Sequence, residues 1–422
     1  MQRARPRDWA STQTRVDRYA GSRLTGAMPK LSQTAHAIRP GVFSELERAI
    51  SERRAAGGDL VPLHIGDTCL PPPAASRFER HLHGGDSSIY AYGATVGLPE
   101  LRDALAHHAL LRGRGWGTMT GESNVQLGVG ATHALSCAAR VVLERDDEVL
   151  LASPYWPLAH GILASAGANV VEVPLTSRLY ADPSLLAGDL LRARLTDRTR
   201  AIYVITPNNP DGKTLSARDL SSVAALARER DLWVFADEVY ADYAFASEHV
   251  SIARLDGMSE RTISAYSFSK SHALAGARVG WVIAPSDVVS AMRKVSTHSV
   301  FNVPVLMQRA ALAALGDDAW VADARSHYLK ARDAAHQALR GTKVRASLAD
   351  GGVYLFADFA EALEGRPLAE LLKLAVAEGV LLAPGEAFGA AFTTHARICY
   401  TSAPLDRVMV GIERLKVALG KL

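Results

Sequence analysis

"SFSKSHALAGARVGW", Ser267 to Trp281, joins two strand-like runs, RTISAYSFS before it and RVGWVIAP after it. One lysine, Lys270, follows two serines separated by a single residue, and Arg278 lies eight positions further on among small side chains. A lysine is most often a solvated surface residue. Its neighbours here change that reading. A desolvated or positively flanked lysine has a lowered pKa and becomes a nucleophile toward carbonyl groups, while Ser267, Ser269 and Arg278 together suit an anion, most simply a phosphate.

Outward from this stretch the chain alternates between strand-like and helix-like segments. SNVQLGVG, DEVLLASP, ANVVEVPL, TRAIYVITP and LWVFADEVY read as short apolar strands, and LPELRDALAHHALLRG, ATHALSCAARVVLE and SARDLSSVAALARER carry helical periodicity between several of them. Strands apolar on both faces and joined by helices imply a mainly parallel sheet covered on both sides, an α/β architecture. Ligands of such sheets gather at the carboxyl ends of the strands. Beyond Pro304 the texture changes to helices, the strands GGVYLFADF and ARICYTS, and a closing helix, which read as a smaller α+β domain. The expected organisation is an N-terminal arm over residues 1–35, part of the small domain and an interdomain segment over 36–75, a large domain over 76–304, and the C-terminal small domain over 305–422.

Two further groups fall at predicted strand ends. In LGVGATHAL a strand closes at Gly128 and Gly130, and Ala131 and Thr132 open a helix, so backbone N–H groups and the positive helix end face any anion there. It is neither GxGxxG nor a Walker loop, and a tight turn needs glycine in any case. In VFADEVYADYAF, Asp237 ends an apolar strand and Tyr240 follows three residues later. Aspartate there is commonly a turn former. An aldehyde bearing a phosphate is what Lys270 and its anion site suit together, and that describes pyridoxal phosphate. Asp237 would then pair with the pyridine nitrogen and sustain the ring as an electron sink, with Tyr240 donating to the ring's phenolic oxygen.

With these residues in order, the chain resembles the class I and II aminotransferases, fold type I enzymes that use pyridoxal 5'-phosphate. The likeness runs from about LHIGDTCLPPP to the closing helix. It implies that Lys270, in S-x-S-K followed by G-x-R-x-G (Gly276, Arg278, Gly280), forms the internal Schiff base. By the same resemblance Gly130, Ala131 and Thr132 form the phosphate loop, Trp156 stacks on the ring, and Asn209 contacts the ring oxygen, with the adjacent Asn208 as the other candidate. Asp237 and Tyr240 match the D-E-x-Y pattern. Arg397 in ARICY resembles the arginine that grips the substrate α-carboxylate, and Gly66 the glycine whose backbone closes on it. Tyr92 resembles the tyrosine that reaches the neighbouring subunit's cofactor phosphate, Tyr90 lying close in register; a homodimer is thereby implied.

Composition narrows the setting. The 422 residues are 48% apolar, and 47 Lys plus Arg against 44 Asp plus Glu leave a formal charge of +3 with no basic stripe, which argues against nucleic acid as a partner. The three cysteines, Cys69, Cys137 and Cys399, are scattered and odd in number, so a reducing, cytoplasmic setting is expected and a disulfide framework is not. No apolar run reaches the length of a membrane span, and no metal motif is present. Plain structural roles are expected for Cys69, Cys137, His133, His272 and His395. The expected activity is transfer of the amino group of an L-amino acid to a 2-oxo acid in ping-pong half-reactions. A lyase, cyclase or synthase acting on a specialised amino acid is the alternative, and an aminotransferase-like regulator the non-enzymatic one.

Overall fold

A computed structural model describes residues 47–82, 87–113 and 121–422, together with 30–32, 35–36 and 38. The arm expected over residues 1–35 lies almost wholly outside the described residues. Each of the seven apolar runs forms a strand: β1 (Val125–Val129), β2 (Glu148–Ser153), β3 (Asn169–Pro174), β4 (Thr199–Ile205), β5 (Trp233–Asp237), β6 (Thr262–Ser267) and β7 (Val279–Ile283). They make one sheet of order β1-β7-β6-β5-β4-β2-β3. Pairings from β3 through β2, β4 and β5 to β6 are parallel, whereas β7 runs antiparallel to both β6 and β1.

The reversal at β7 follows from chain length. A parallel return needs a crossover of a dozen or more residues, usually through a helix. Only the 11 residues Phe268 to Arg278 separate β6 from β7, so the chain turns back beside the strand it has just left. Alternate residues of the central strands serve opposite cores, as the pleat requires. Val149, Leu151, Tyr203, Phe235 and Ile263 pack under the helices Gly130–Val142, Pro157–Ser165 and Ser286–Ser299. Leu150, Ile202, Val204 and Val234 pack against Ala187–Arg192 and Ala217–Glu229 on the other face.

The second unit is a four-stranded antiparallel sheet of order β10-β11-β9-β8, comprising β8 (Arg345–Ala346), β9 (Tyr354–Asp358), β10 (Ala383–Pro384) and β11 (His395–Cys399). The helices Asp318–Leu339, Leu368–Glu378 and Leu405–Leu419 share its core. Ile50, Val61 and Leu63 join that core, and Val61 bridges Val380 in parallel. The helix Val305–Leu315 belongs with the other unit: Ala311, Ala314 and Leu315 pack with Leu127, Val279 and Trp281. Beyond Pro304, the core of the second unit is therefore joined first by the helix that follows, Asp318–Leu339. Among the described residues no helix is long and apolar enough to cross a membrane.

Glycine matters at one crossing in this sheet. A Cβ on Gly280 would lie 2.2 Å from the Ala131 nitrogen and 2.6 Å from the Gly130 carbonyl carbon, both backbone atoms that have no rotamer to yield. Gly276, the other glycine of the G-x-R-x-G pattern, has nothing within 4 Å of such a Cβ. Gly280→Ala should therefore destabilise the protein by about 1–3 kcal/mol in urea denaturation, and Gly276→Ala should leave the midpoint essentially unmoved.

Candidate active site

The carboxyl ends of β4, β5 and β6 open into a cavity of about 310 Å³ between the two units. Twelve of the residues singled out by sequence line it: Gly66, Ala131, Thr132, Trp156, Asn209, Asp237, Tyr240, Ser267, Ser269, Lys270, Arg278 and Arg397. Other hollows, near Lys343 and near Trp233, hold none of them.

The link between β6 and β7 builds one wall. Ser267 caps the short helix Phe268–Ser271, its hydroxyl accepting from the Ser269 N–H at 3.1 Å, and Lys270 points from that helix into the cavity. Lys270 Nζ donates to the Gly66 carbonyl. Enclosure by protein lowers its pKa; Asp67 and Cys399 pull the other way, and Arg397 and Arg278 add to the lowering. Arg278 adopts a left-handed backbone (φ 54°), uncommon for a residue with a side chain, and its carbonyl accepts from the Gly130 N–H at 2.8 Å. Its guanidinium lies against Gly130, where a Cβ would sit 2.4 Å from Nη2. A positive helix end and a guanidinium thus share one spot, beside the Ser269 hydroxyl at 3.5 Å from Nη1. Gly130 backs this cradle without lining the cavity itself.

Asp237 ends β5 on the cavity floor, buried, accepting from the Tyr203 hydroxyl at 3.1 Å and from the Val239 N–H at 3.4 Å. Among the described residues no cation reaches ion-pair distance of it, and burial pushes its pKa up to about 6. Tyr240 is fully buried, its hydroxyl 2.6 Å from that of Tyr354.

Arg397 comes from β11 of the other unit. Its guanidinium stands over the rings of Tyr354 (4.3 Å) and Phe388 (4.9 Å), donates from Nη1 to Asn209 Oδ1 (2.9 Å) and from Nη2 to the His64 carbonyl (2.7 Å), and leaves Nε buried without a partner. No carboxylate among the described residues pairs with it. Asn208 faces away from this group, holding the Pro154 carbonyl (3.0 Å) and Asp211 (2.8 Å); of the two adjacent asparagines, Asn209 is the one in the cavity wall.

Tyr92 is not in the cavity of its own chain. It is 88% exposed, edge-on to Phe301 with ring centroids 5.1 Å apart, and Tyr90 is equally open. The sequence reading missed Tyr354, whose hydroxyl would lie 2.0 Å from a Cβ at Gly66 and so keeps that position a glycine. Only the register of β9 against β11, Tyr354 opposite Cys399 and Phe356 opposite Arg397, brings it to the site. His133 serves structure, its ring bonding the Val129 N–H and the Ser299 hydroxyl, and no metal-holding cluster occurs among the described residues.

Comparison with known proteins agrees with this geometry. Residues 59–415 match the family described as Aminotransferase class I and II. An aspartate aminotransferase of Pyrococcus abyssi is 31% identical over 87% of this chain and 94% of its own length. An arginine–pyruvate transaminase of Pseudomonas aeruginosa is 30% identical over 81% and 86%. A mutant aspartate aminotransferase of Thermus thermophilus superposes with a TM-score of 0.84 at 28% identity, covering 93% of this chain and all of the other. The chain belongs to the class I and II aminotransferases, a family of fold type I enzymes that use pyridoxal phosphate.

The uncompensated Asp237 has a consequence for folding. Raised from its ordinary 3.8 to about 6, the carboxyl holds its proton more tightly in the native than in the unfolded chain. Its cost to stability is thus absent below about pH 4, grows between pH 4 and 6, and is complete above. The cofactor-free Asp237→Asn variant should be more stable than the parent at pH 8, on the order of 2–3 kcal/mol, and equal to it near pH 4, as measured by chemical denaturation at each pH.

Proposed function

We propose that this protein is a pyridoxal phosphate-dependent aminotransferase that passes the amino group of an L-amino acid to a 2-oxo acid in two successive half-reactions. One observation carries the reading. Lys270, Arg278, Arg397 and Asp237 line a single cavity, and none has an ion-pair partner among the described residues. A site with three cationic groups and one buried carboxylate calls for a ligand bearing anions at two places and a cation at a third. Pyridoxal phosphate with an amino acid beside it has that pattern: a phosphate, a carboxylate and a protonated ring nitrogen.

The residues fit the cofactor in detail. The N–H groups of Ala131 and Thr132, with Ser267, Ser269 and Arg278, would hold its phosphate, and Gly130 leaves room for the guanidinium above them. Asp237 would keep the ring nitrogen protonated, Trp156 would stack on the ring, and Asn209 and Tyr240 would address the ring oxygen. When bound, the cofactor supplies an aldehyde that accepts the amino group and a ring that spreads the charge left when the Cα–H bond breaks. Lys270 would be its covalent anchor at rest. The free lysine amine would also serve as a base, the lowered pKa leaving Nζ able to take and return the proton at the donor's Cα. Arg397, held by Asn209 and His64 and propped by Tyr354, presents a rigid fork to the α-carboxylate and sets the orientation of that Cα–H bond. Tyr92, turned away from its own cavity, would complete the phosphate site of a second copy in a homodimer.

Protein supplied with pyridoxal phosphate should take on a visible absorption band that changes on addition of an amino donor, with a 2-oxo acid as product by mass spectrometry; an elimination or cyclisation product would instead mark the reaction as lyase or synthase chemistry. Lys270→Ala should lower turnover by at least about 10³-fold with the denaturation midpoint little changed. Turnover near that of the parent would reject the role. Provided each single variant is impaired, mixing Lys270→Ala and Tyr92→Phe subunits should restore activity, because a mixed dimer carries one site with both lesions and one with neither. A mixture no more active than its components would reject the cross-subunit tyrosine.

A further inference from the structure

The charges of the cavity can be assigned one by one. On the reading proposed above, Lys270 holds the cofactor, Arg278 its phosphate, Asp237 its ring nitrogen, and Arg397 the α-carboxylate of the substrate. Among the described residues no further charged side chain of the cavity wall is then left for the rest of the substrate. The remaining lining is apolar or uncharged: Leu158, Ile205, Val239 and Ala275, with Trp156 and Tyr354. Leu158 follows Trp156 by two residues, in the first turn of the helix Pro157–Ser165, and is 51% exposed where it borders the cavity.

From this we infer that the amino donor is an L-amino acid with an uncharged, apolar side chain, aliphatic or aromatic, and not an acidic or basic one. The inference rests on the aminotransferase reading and narrows it. A second carboxylate carried into this cavity would leave water for a wall that offers, among the described residues, no cation beyond those already matched. A basic side chain fares no better, since Asp237, the one carboxylate in the lining among the described residues, is already matched. An apolar side chain trades water for Leu158, Trp156 and Tyr354, the ordinary source of affinity for such groups. The names of similar proteins span aspartate, arginine and aromatic donors, so the inference stands on the cavity and runs against the aspartate in several of them.

The test compares ligands that share one carboxylate and differ at the other end. Calorimetric titration of the pyridoxal phosphate-loaded full chain with 3-phenylpropionate and with succinate should show the former binding about tenfold or more tightly. Leucine and phenylalanine should change the cofactor's absorption at lower concentrations than aspartate, glutamate or arginine. Leu158→Lys, which adds an ammonium at the mouth, should shift the ratio toward succinate. Succinate binding as tightly as phenylpropionate, or tighter, overturns the inference and leaves amino transfer standing; a cation reaching in from a second copy of the chain would show itself in this way. Absence of any spectral response to every amino acid overturns both.

Discussion

The shortness of the link between β6 and β7 is the constraint on which the site depends. With 11 residues from Phe268 to Arg278 the chain has no length for a crossover, so β7 returns antiparallel and both ends of the link stay at the carboxyl edge of the parallel strands. Lys270 leaves β6 there and Arg278 enters β7 there. The return also presses Gly280 onto the first turn of the helix that opens at Gly130, which brings a helix N-terminus and the Arg278 guanidinium to one point. The left-handed backbone of Ala273 and Arg278 is the local strain such a tight link carries.

The other half of the site arrives from a different sheet. Arg397 on β11 is fixed by a carbonyl of its own unit, His64, and by Asn209 from the end of the large sheet. Tyr354 works in the same place twice over, beneath the guanidinium and against the Tyr240 hydroxyl. Isolated, these groups are unfavourable: a buried aspartate without a cation, a buried arginine without an anion, a lysine held against a carbonyl. Functional sites are where a fold carries such local disagreement, and the two apolar cores on either face of the large sheet supply the stability that offsets it.

Legibility from sequence followed the range of the interactions. The seven strands are evident because each is a short apolar run covered on both faces, and the sequence of such runs marks a parallel sheet. Lys270 stands out because Ser267, Ser269 and Arg278 lie within eight residues of it, whereas Asp237 and the Gly130 turn, commonplace by themselves, draw their expected roles from the cofactor that Lys270 suggests. Tyr354 was not, because only strand register places it, and register is decided by contacts far apart in sequence. Gly276 and Gly280 look equivalent in G-x-R-x-G, yet only the second meets backbone. The helix Val305–Leu315 lies beyond the change in texture near Pro304 but packs with Leu127 and Trp281, since its alanine-rich face fits the large unit's surface.

Leu158 and the charged residues sit on unequal foundations. Asp237 ends β5, Lys270 sits in the short helix directly after β6 and Arg397 is at the middle of β11, each held by its sheet, whereas Leu158 is a half-open side chain on the first turn of a surface helix. A substitution at such a position would reshape the rim of the cavity while leaving in place the two sheets that carry the charged groups.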